Sequence, residues 1–135
     1  LMKIRLAQKE DLPILLALDR HIGREELENL IGLHRVFIAE EEGAFAGWLR
    51  YNLFWDNTPF MNMLFLLEPY RNRGIGKKLV AYWEESMKNK GYDSVMTSTQ
   101  WDEYAQHFYY KLGYCAVGGF ALAGETYELL LQKQL

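Results

Sequence analysis

A single cysteine, Cys115, stands in a chain of 135 residues, so no intrachain disulfide can form. Neither G-x-x-x-x-G-K-[ST] nor G-x-G-x-x-G occurs, which excludes a P-loop site and a Rossmann dinucleotide fingerprint. His21, His34 and His107 lie far apart without metal-ligand spacing, and no metal is expected. The longest apolar stretch, Phe60 to Leu67, is far too short to span a bilayer, so no membrane partner is expected. Positive charge is not in excess: 15 Lys and Arg face 18 Asp and Glu, for a net charge of −3. A general nucleic-acid binder carries the opposite balance. Repeats, linkers and low-complexity segments are absent, and residues 1–135 read as one domain able to bury a substantial core. No charged-plus-apolar leader is read at the start, Leu1 ahead of Met2 reads as a cloning remnant, and the cytoplasm is the expected compartment.

What is present is a soluble-type composition, 50% hydrophobic and 24% charged, with aromatic side chains at 15%. Within it lies one basic, glycine-containing stretch, Arg71-Asn72-Arg73-Gly74-Ile75-Gly76-Lys77, between an apolar run and an amphipathic helix. Amide N–H groups at a helix start, with the positive end of the helix dipole, suit phosphate oxygens. Gly74 and Gly76 remove the Cβ atoms that would hold a ligand away from those amides. Arg71, Arg73 and Lys77 add charge, and the pattern points to a small phosphorylated ligand.

Periodicity and turn residues set the element order. A strand begins at Ile4 and Leu6, a helix runs from Lys9–Pro13 to about Ile22, and a second covers Glu25 to Leu33. Val36 to Glu40 and Ala44 to Phe54 form a hairpin across Glu42-Gly43. Asp56-Asn57-Thr58-Pro59 is turn chemistry, and Phe60 to Leu67 reads as a central strand buried on both faces. Leu79, Val80, Trp83 and Met87 follow helical spacing up to a cap at Gly91. A strand at Ser94–Thr99, a helix at Glu103–Leu112 capped by Gly113, and strands at Ala116–Ala121 and Thr126–Leu131 complete the chain. This order describes an α/β chain with a mixed sheet and helices on both faces.

The strand followed by Glu68-Pro69-Tyr70-Arg71-x-x-Gly74-x-Gly76, the helix from Lys77 to Lys90 with Gly91-Tyr92 after it, and Ala105-x-x-Phe108-Tyr109-x-Lys111-Leu112-Gly113-Tyr114 together resemble the GCN5-related N-acetyltransferase (GNAT) family. The resemblance implies a mostly antiparallel sheet of six to seven strands and acetyl-CoA as cosubstrate. It implies that backbone amides of Asn72 to Lys77 bind the pyrophosphate. Phe65, Leu66 and Leu67 would pair through their backbone with the pantetheine arm, like an added strand. Tyr109 would be the acid toward the departing thiolate. With ordinary values of about 10 for a phenol and about 8.5 for a thiol, full transfer is uphill by roughly 2 kcal/mol, which favours a strengthening hydrogen bond. Tyr110 points about 100° away on a helix and does not substitute.

The family often carries asparagine where Asp102 stands, and Asp102 is expected to cap the following helix instead. Cys115 is expected to be buried core rather than a nucleophile. The implied reaction is direct attack by an amine on the thioester. A lysine-like amine costs roughly 4.6 kcal/mol to deprotonate at pH 7. Glu40 and Asp56 are candidate bases, Glu68 is expected only to end its strand, and an N–H near Leu67 is the candidate oxyanion donor. Trp48, Tyr51, Phe54, Trp55 and Trp101 are candidate lining for an acceptor pocket suited to a cationic amine. The acceptor is a small-molecule amine or a protein amino group, and a homodimer is a possible assembly. The rival readings are a non-catalytic acyl-CoA-binding module and an interaction protein with a vestigial cofactor site.

Overall fold

Strand β1 (Met2–Leu6) opens the computed structural model, which describes all residues from Leu1 to Leu135. A 3-10 turn at Lys9–Asp11 leads into helix α1 (Leu12–Leu18), with Pro13 in the first turn, where a missing N–H leaves no bond unmade. Helix α2 spans Arg24–Gly32. Strands β2 (Val36–Glu41), β3 (Ala44–Phe54) and β4 (Thr58–Leu66) follow, then helix α3 (Ile75–Asn89). Strand β5 (Ser94–Gln100), helix α4 (Ala105–Lys111) and strands β6 (Cys115–Phe120) and β7 (Glu128–Gln134) finish the chain. The seven strands run β1-β2-β3-β4-β5-β7-β6 in one mostly antiparallel sheet. No helix is long and apolar enough to cross a membrane.

The chain divides into two compact units. The first comprises Leu1–Asn52 and Met63–Trp83. In it β2 pairs antiparallel with β1 (Ile4 opposite Ala39) and with β3 (Ile38 opposite Trp48). Ala7, Leu15, Leu27, Leu30, Val36, Ile38 and Trp48 form its core. Helix α1 ends at Leu18, four residues short of the expected Ile22. Asp19 leaves helical geometry (ψ 105°) so that its carboxylate reaches Arg50 at 2.7 Å and Trp48 Nε1 at 3.2 Å inside the core. Helix α2 ends in a Schellman motif, with Arg35 N–H donating to Leu30 O and His34 N–H to Ile31 O, and His34 takes the left-handed φ of 61°.

The second unit comprises Leu53–Asn62 and Glu84–Leu135. Here β7 pairs antiparallel with β5 (Thr97 opposite Leu131) and with β6 (Ala116 opposite Leu131), while β4 meets β5 in parallel at Phe60–Met96 and Met61–Thr97. Helices α3 and α4 both end in Schellman motifs with glycine at the left-handed position. Gly91 and Tyr92 bond back to Lys88 and Met87, and Gly113 and Tyr114 bond back to Tyr110 and Tyr109.

Four further expectations need correction. The β3–β4 turn is Trp55–Asn57, closed by Asn57 N–H donating to Phe54 O, so Thr58 and Pro59 belong to β4. Strand β4 is not buried on both faces: Asn62 is exposed and Phe65 is 39% exposed. Helix α4 starts at Ala105, and no side chain caps it. Asp102 stands exposed, while Gln106 Nε2 donates to the Trp101 and Glu103 carbonyls to hold the turn before the helix. Cys115 is exposed, because β6 is the last strand of the sheet and five of its six residues face solvent.

Candidate functional site

The basic stretch sits in the first unit, where β4 gives way to a 3-10 turn at Glu68–Tyr70 and then to α3. Asn72 (φ 60°) and Gly74 (φ 79°) both adopt left-handed geometry, which turns the chain sharply before the helix. The first intrahelical bond from this loop is Lys78 N–H to Gly74 O at 3.1 Å. The amides of Ile75, Gly76 and Lys77 precede it and have no acceptor within the helix. Their dipoles add along α3, so the position suits an anion. Ile75 is 3% exposed, so its side chain belongs to the core and only its amide is available for binding.

The cations beside the loop are partly committed. Arg71 Nε donates to Leu66 O at 2.8 Å, and the guanidinium lies 5.1 Å from the centre of the Phe65 ring. Arg73 pairs with Glu41 at 3.5 Å and lies over Tyr70 at 5.8 Å. Lys77 is exposed in the first turn of α3. Leu67 N–H donates to Ala46 O at 2.9 Å, which removes that amide as the expected oxyanion donor. Strand β3 comes this close because residue 47 is glycine: a β-carbon there would lie 2.3 Å from Phe65 O.

Tyr109 belongs to the second unit, in α4, and is 7% exposed. Its phenol is hydrogen-bonded to Thr97, whose hydroxyl donates to Met61 O at 2.9 Å. Burial pushes the Tyr109 phenol up to about 12, the hydrogen bond with Thr97 opposes the rise, and the negative charge of Glu103 adds to it. Against a thiol at about 8.5, full proton transfer from a phenol at about 12 is then uphill by roughly 5 kcal/mol, so the group is suited to donating a hydrogen bond and not to losing its proton. Tyr110 is exposed on another face of α4. Nothing local marks Thr97's part, since Ser94 to Thr99 reads as an ordinary strand.

The remaining candidates separate. Trp48 and Tyr51 are 1% and 3% exposed, so they fill the core and do not line a pocket. Trp55 and Trp101 are exposed, and Phe54 stacks between Trp55 and Phe60. Glu40 is paired with Arg5 Nε at 3.2 Å, so its carboxylate is already engaged. Asp56 is exposed at the β3–β4 turn.

The acetyltransferase (GNAT) family profile matches residues 6–114. The chain belongs to this family. Over 57 residues it is 37% identical to N-alpha-acetyltransferase 30 of Schizosaccharomyces pombe, a match spanning 42% of this chain and 38% of that relative. The fold is similar to that of Ard1 from Thermoplasma volcanium (TM-score 0.85, 14% identity, 99% of this chain and 97% of that one). It is also similar to the PaiA N-acetyltransferase of Thermoplasma acidophilum, solved in complex with coenzyme A (TM-score 0.81, 20% identity, 100% and 99% covered).

Proposed function

We propose that this GNAT protein is an acetyl-CoA-dependent N-acetyltransferase that moves the acetyl group to a primary amine by direct attack. The observation that carries the reading is the start of α3, where two left-handed residues, Asn72 and Gly74, lead into three amides without helical acceptors. That geometry suits a pyrophosphate, with Arg71, Asn72, Arg73, Gly74, Ile75, Gly76 and Lys77 around it. The relative solved with coenzyme A supports the choice of cofactor. The backbone of Phe65, Leu66 and Leu67 is proposed to receive the pantetheine arm. Leu66's carbonyl already accepts from Arg71, and Leu67's amide and carbonyl already serve Ala46 and Tyr70, so the arm would use the second lone pair of these carbonyls.

In the proposed reaction a neutral amine forms the C–N bond at the thioester carbonyl, and the C–S bond then breaks. Tyr109 donates a hydrogen bond to the departing sulfur, and a water relay carries off the amine proton. The acceptor is an amine that is cationic before it reacts. Residues 100–128 carry Asp102, Glu103, Glu125 and Glu128 against one lysine, Lys111, a balance that favours approach of positive charge. The N-alpha-acetyltransferase relative favours a protein amino group over a small molecule. Cys115, unpaired and exposed, suits the reducing cytoplasm.

The test is a thermal melt with acetyl-CoA, followed by thiol release in the presence of amines. Ligand at about 100 times Kd raises stability by roughly 2.7 kcal/mol, a shift of about 10 °C for a domain of this size. Tyr109→Phe is expected to keep that shift and to lose turnover by about 10–100-fold. A shift without turnover would favour the non-catalytic acyl-CoA-binding module, and no shift at millimolar ligand would overturn both.

A further inference from the structure

Tyr109 is held along its ring edge as well as at its hydroxyl. The Tyr114 ring meets it at 5.5 Å between centroids, with the planes at 66°. Tyr114 N–H also donates to Tyr109 O at 3.0 Å, so the two residues are tied through backbone and ring together. Tyr114 is 2% exposed, and its hydroxyl donates to Glu84 Oε2 at 2.7 Å. The other oxygen of Glu84 accepts from Lys133 Nζ at 2.8 Å, and that ammonium lies 5.8 Å from the Tyr114 ring centre. The Lys133 stem reaches Glu84 by passing Gly113, where a β-carbon would stand 3.5 Å from Lys133 Cε. Three segments distant in sequence, in α3, after α4 and in β7, therefore converge on one ring.

A tyrosine needed only to fill space does not require its hydroxyl. Here the hydroxyl meets a carboxylate whose second oxygen is neutralised by an ammonium, a charge-assisted arrangement with defined angles. We propose that Tyr114, Glu84 and Lys133 are positioning residues that fix the rotation of the Tyr109 ring. The inference rests on the reading of Tyr109 given above: a hydrogen bond to a departing sulfur weakens steeply with angle. A donor must sit within about 0.5 Å of its productive place. Thr97 contacts the hydroxyl, and Tyr114 holds the ring edge and the backbone behind it.

Tyr114→Phe keeps the ring and removes the tether, Glu84→Gln removes the charge, and Lys133→Met can be compared with Lys133→Arg. The probes are acetyl-CoA with n-butylamine, spermidine and a tetrapeptide with a free amino terminus, followed by thiol release. With whichever amine the unsubstituted protein uses best, Tyr114→Phe and Glu84→Gln are each expected to lower kcat about tenfold, with the KM for acetyl-CoA changed less than about twofold. Lys133→Met is expected to do the same, and Lys133→Arg to restore most of the loss. Ring-flip rates of Tyr109, from NMR of the ring-labelled protein, are expected to rise in Tyr114→Phe. An unchanged kcat in Tyr114→Phe, whatever happens to Tm, would overturn the brace. If the unsubstituted protein turns over none of the amines, the acetyltransferase reading fails by itself. The ring-flip comparison then decides the brace, and equal rates in the two proteins would overturn it.

Discussion

His34 holds a backbone conformation that a β-carbon disfavours, with φ at 61° where α3 and α4 place Gly91 and Gly113. The hydrogen bonds of the motif are the same at all three helix ends, so the helix gains the same closure and histidine bears the left-handed strain. His34→Gly is expected to stabilise the protein by about 0.5–1 kcal/mol net of the entropy glycine adds to the unfolded chain, raising Tm by roughly 2–5 °C. A calorimetric melt of the two proteins checks it. Asp19 shows the opposite balance. Burial by itself would raise its carboxyl, but Arg50, assisted by the His21 amide and Trp48, holds it below the usual range. Asp19→Asn is expected to cost about 3–5 kcal/mol, because it leaves the Arg50 charge buried without its partner. A urea titration reads the difference.

At the scale of an element, the start of α3 is set by two residues before the helix. Gly74 has open space where a β-carbon would go, so only its φ of 79° resists substitution. Gly74→Ala is expected to lose about 1–2 kcal/mol of stability and to weaken acetyl-CoA binding by displacing the following amides, as titration calorimetry would report. The loop was legible because glycine spacing, charge and the amphipathic pattern of Leu79, Val80, Trp83 and Met87 coincide there, and all four of those side chains are buried. The turn at Trp55–Asp56 was not. Both residues have positive φ at turn positions that ordinarily use Asn-Gly, so local turn chemistry points to Asp56-Asn57-Thr58-Pro59, one residue late. The end of α1 escaped for a different reason: Asp19 leaves the helix to meet Arg50, which is 31 positions away and invisible to local pattern. Trp48 and Tyr51 are candidate pocket lining by sequence because alternation in β3 leaves the face of each aromatic residue undecided until the core is known.

For the molecule as a whole, acid is the condition that exposes its ion pairs. Asp19 and Asp11 titrate below their ordinary values, the first held by Arg50 and the second chiefly by Arg5. The unfolded chain therefore takes up protons at higher pH than the folded one. The stability these groups contribute is full above the unfolded value of about 4 and is lost as pH falls through the folded values. Tm is expected to stay level from about pH 7 to 5 and to fall steeply below about pH 4, less steeply in Asp19→Asn. Circular dichroism melts across that range would show it, and an equal slope in both proteins would remove Asp19 from the account.

The place of β7 in the sheet has a consequence for how the chain is made. It follows β6 in sequence, yet it lies between β5 and β6 and pairs with both. On the ribosome, β5 and β6 emerge before the strand that joins them. Until Glu128–Gln134 has left the exit tunnel, β6 has no neighbour, and its residues Cys-Ala-Val-Gly-Gly-Phe carry no charge to keep other chains away. Lys133, the far end of the brace on Tyr109, comes with that same late strand. A nascent chain of this protein therefore passes through an interval in which β6 is an unpaired, uncharged strand, and β7 brings the end of that interval and the last brace on Tyr109 together.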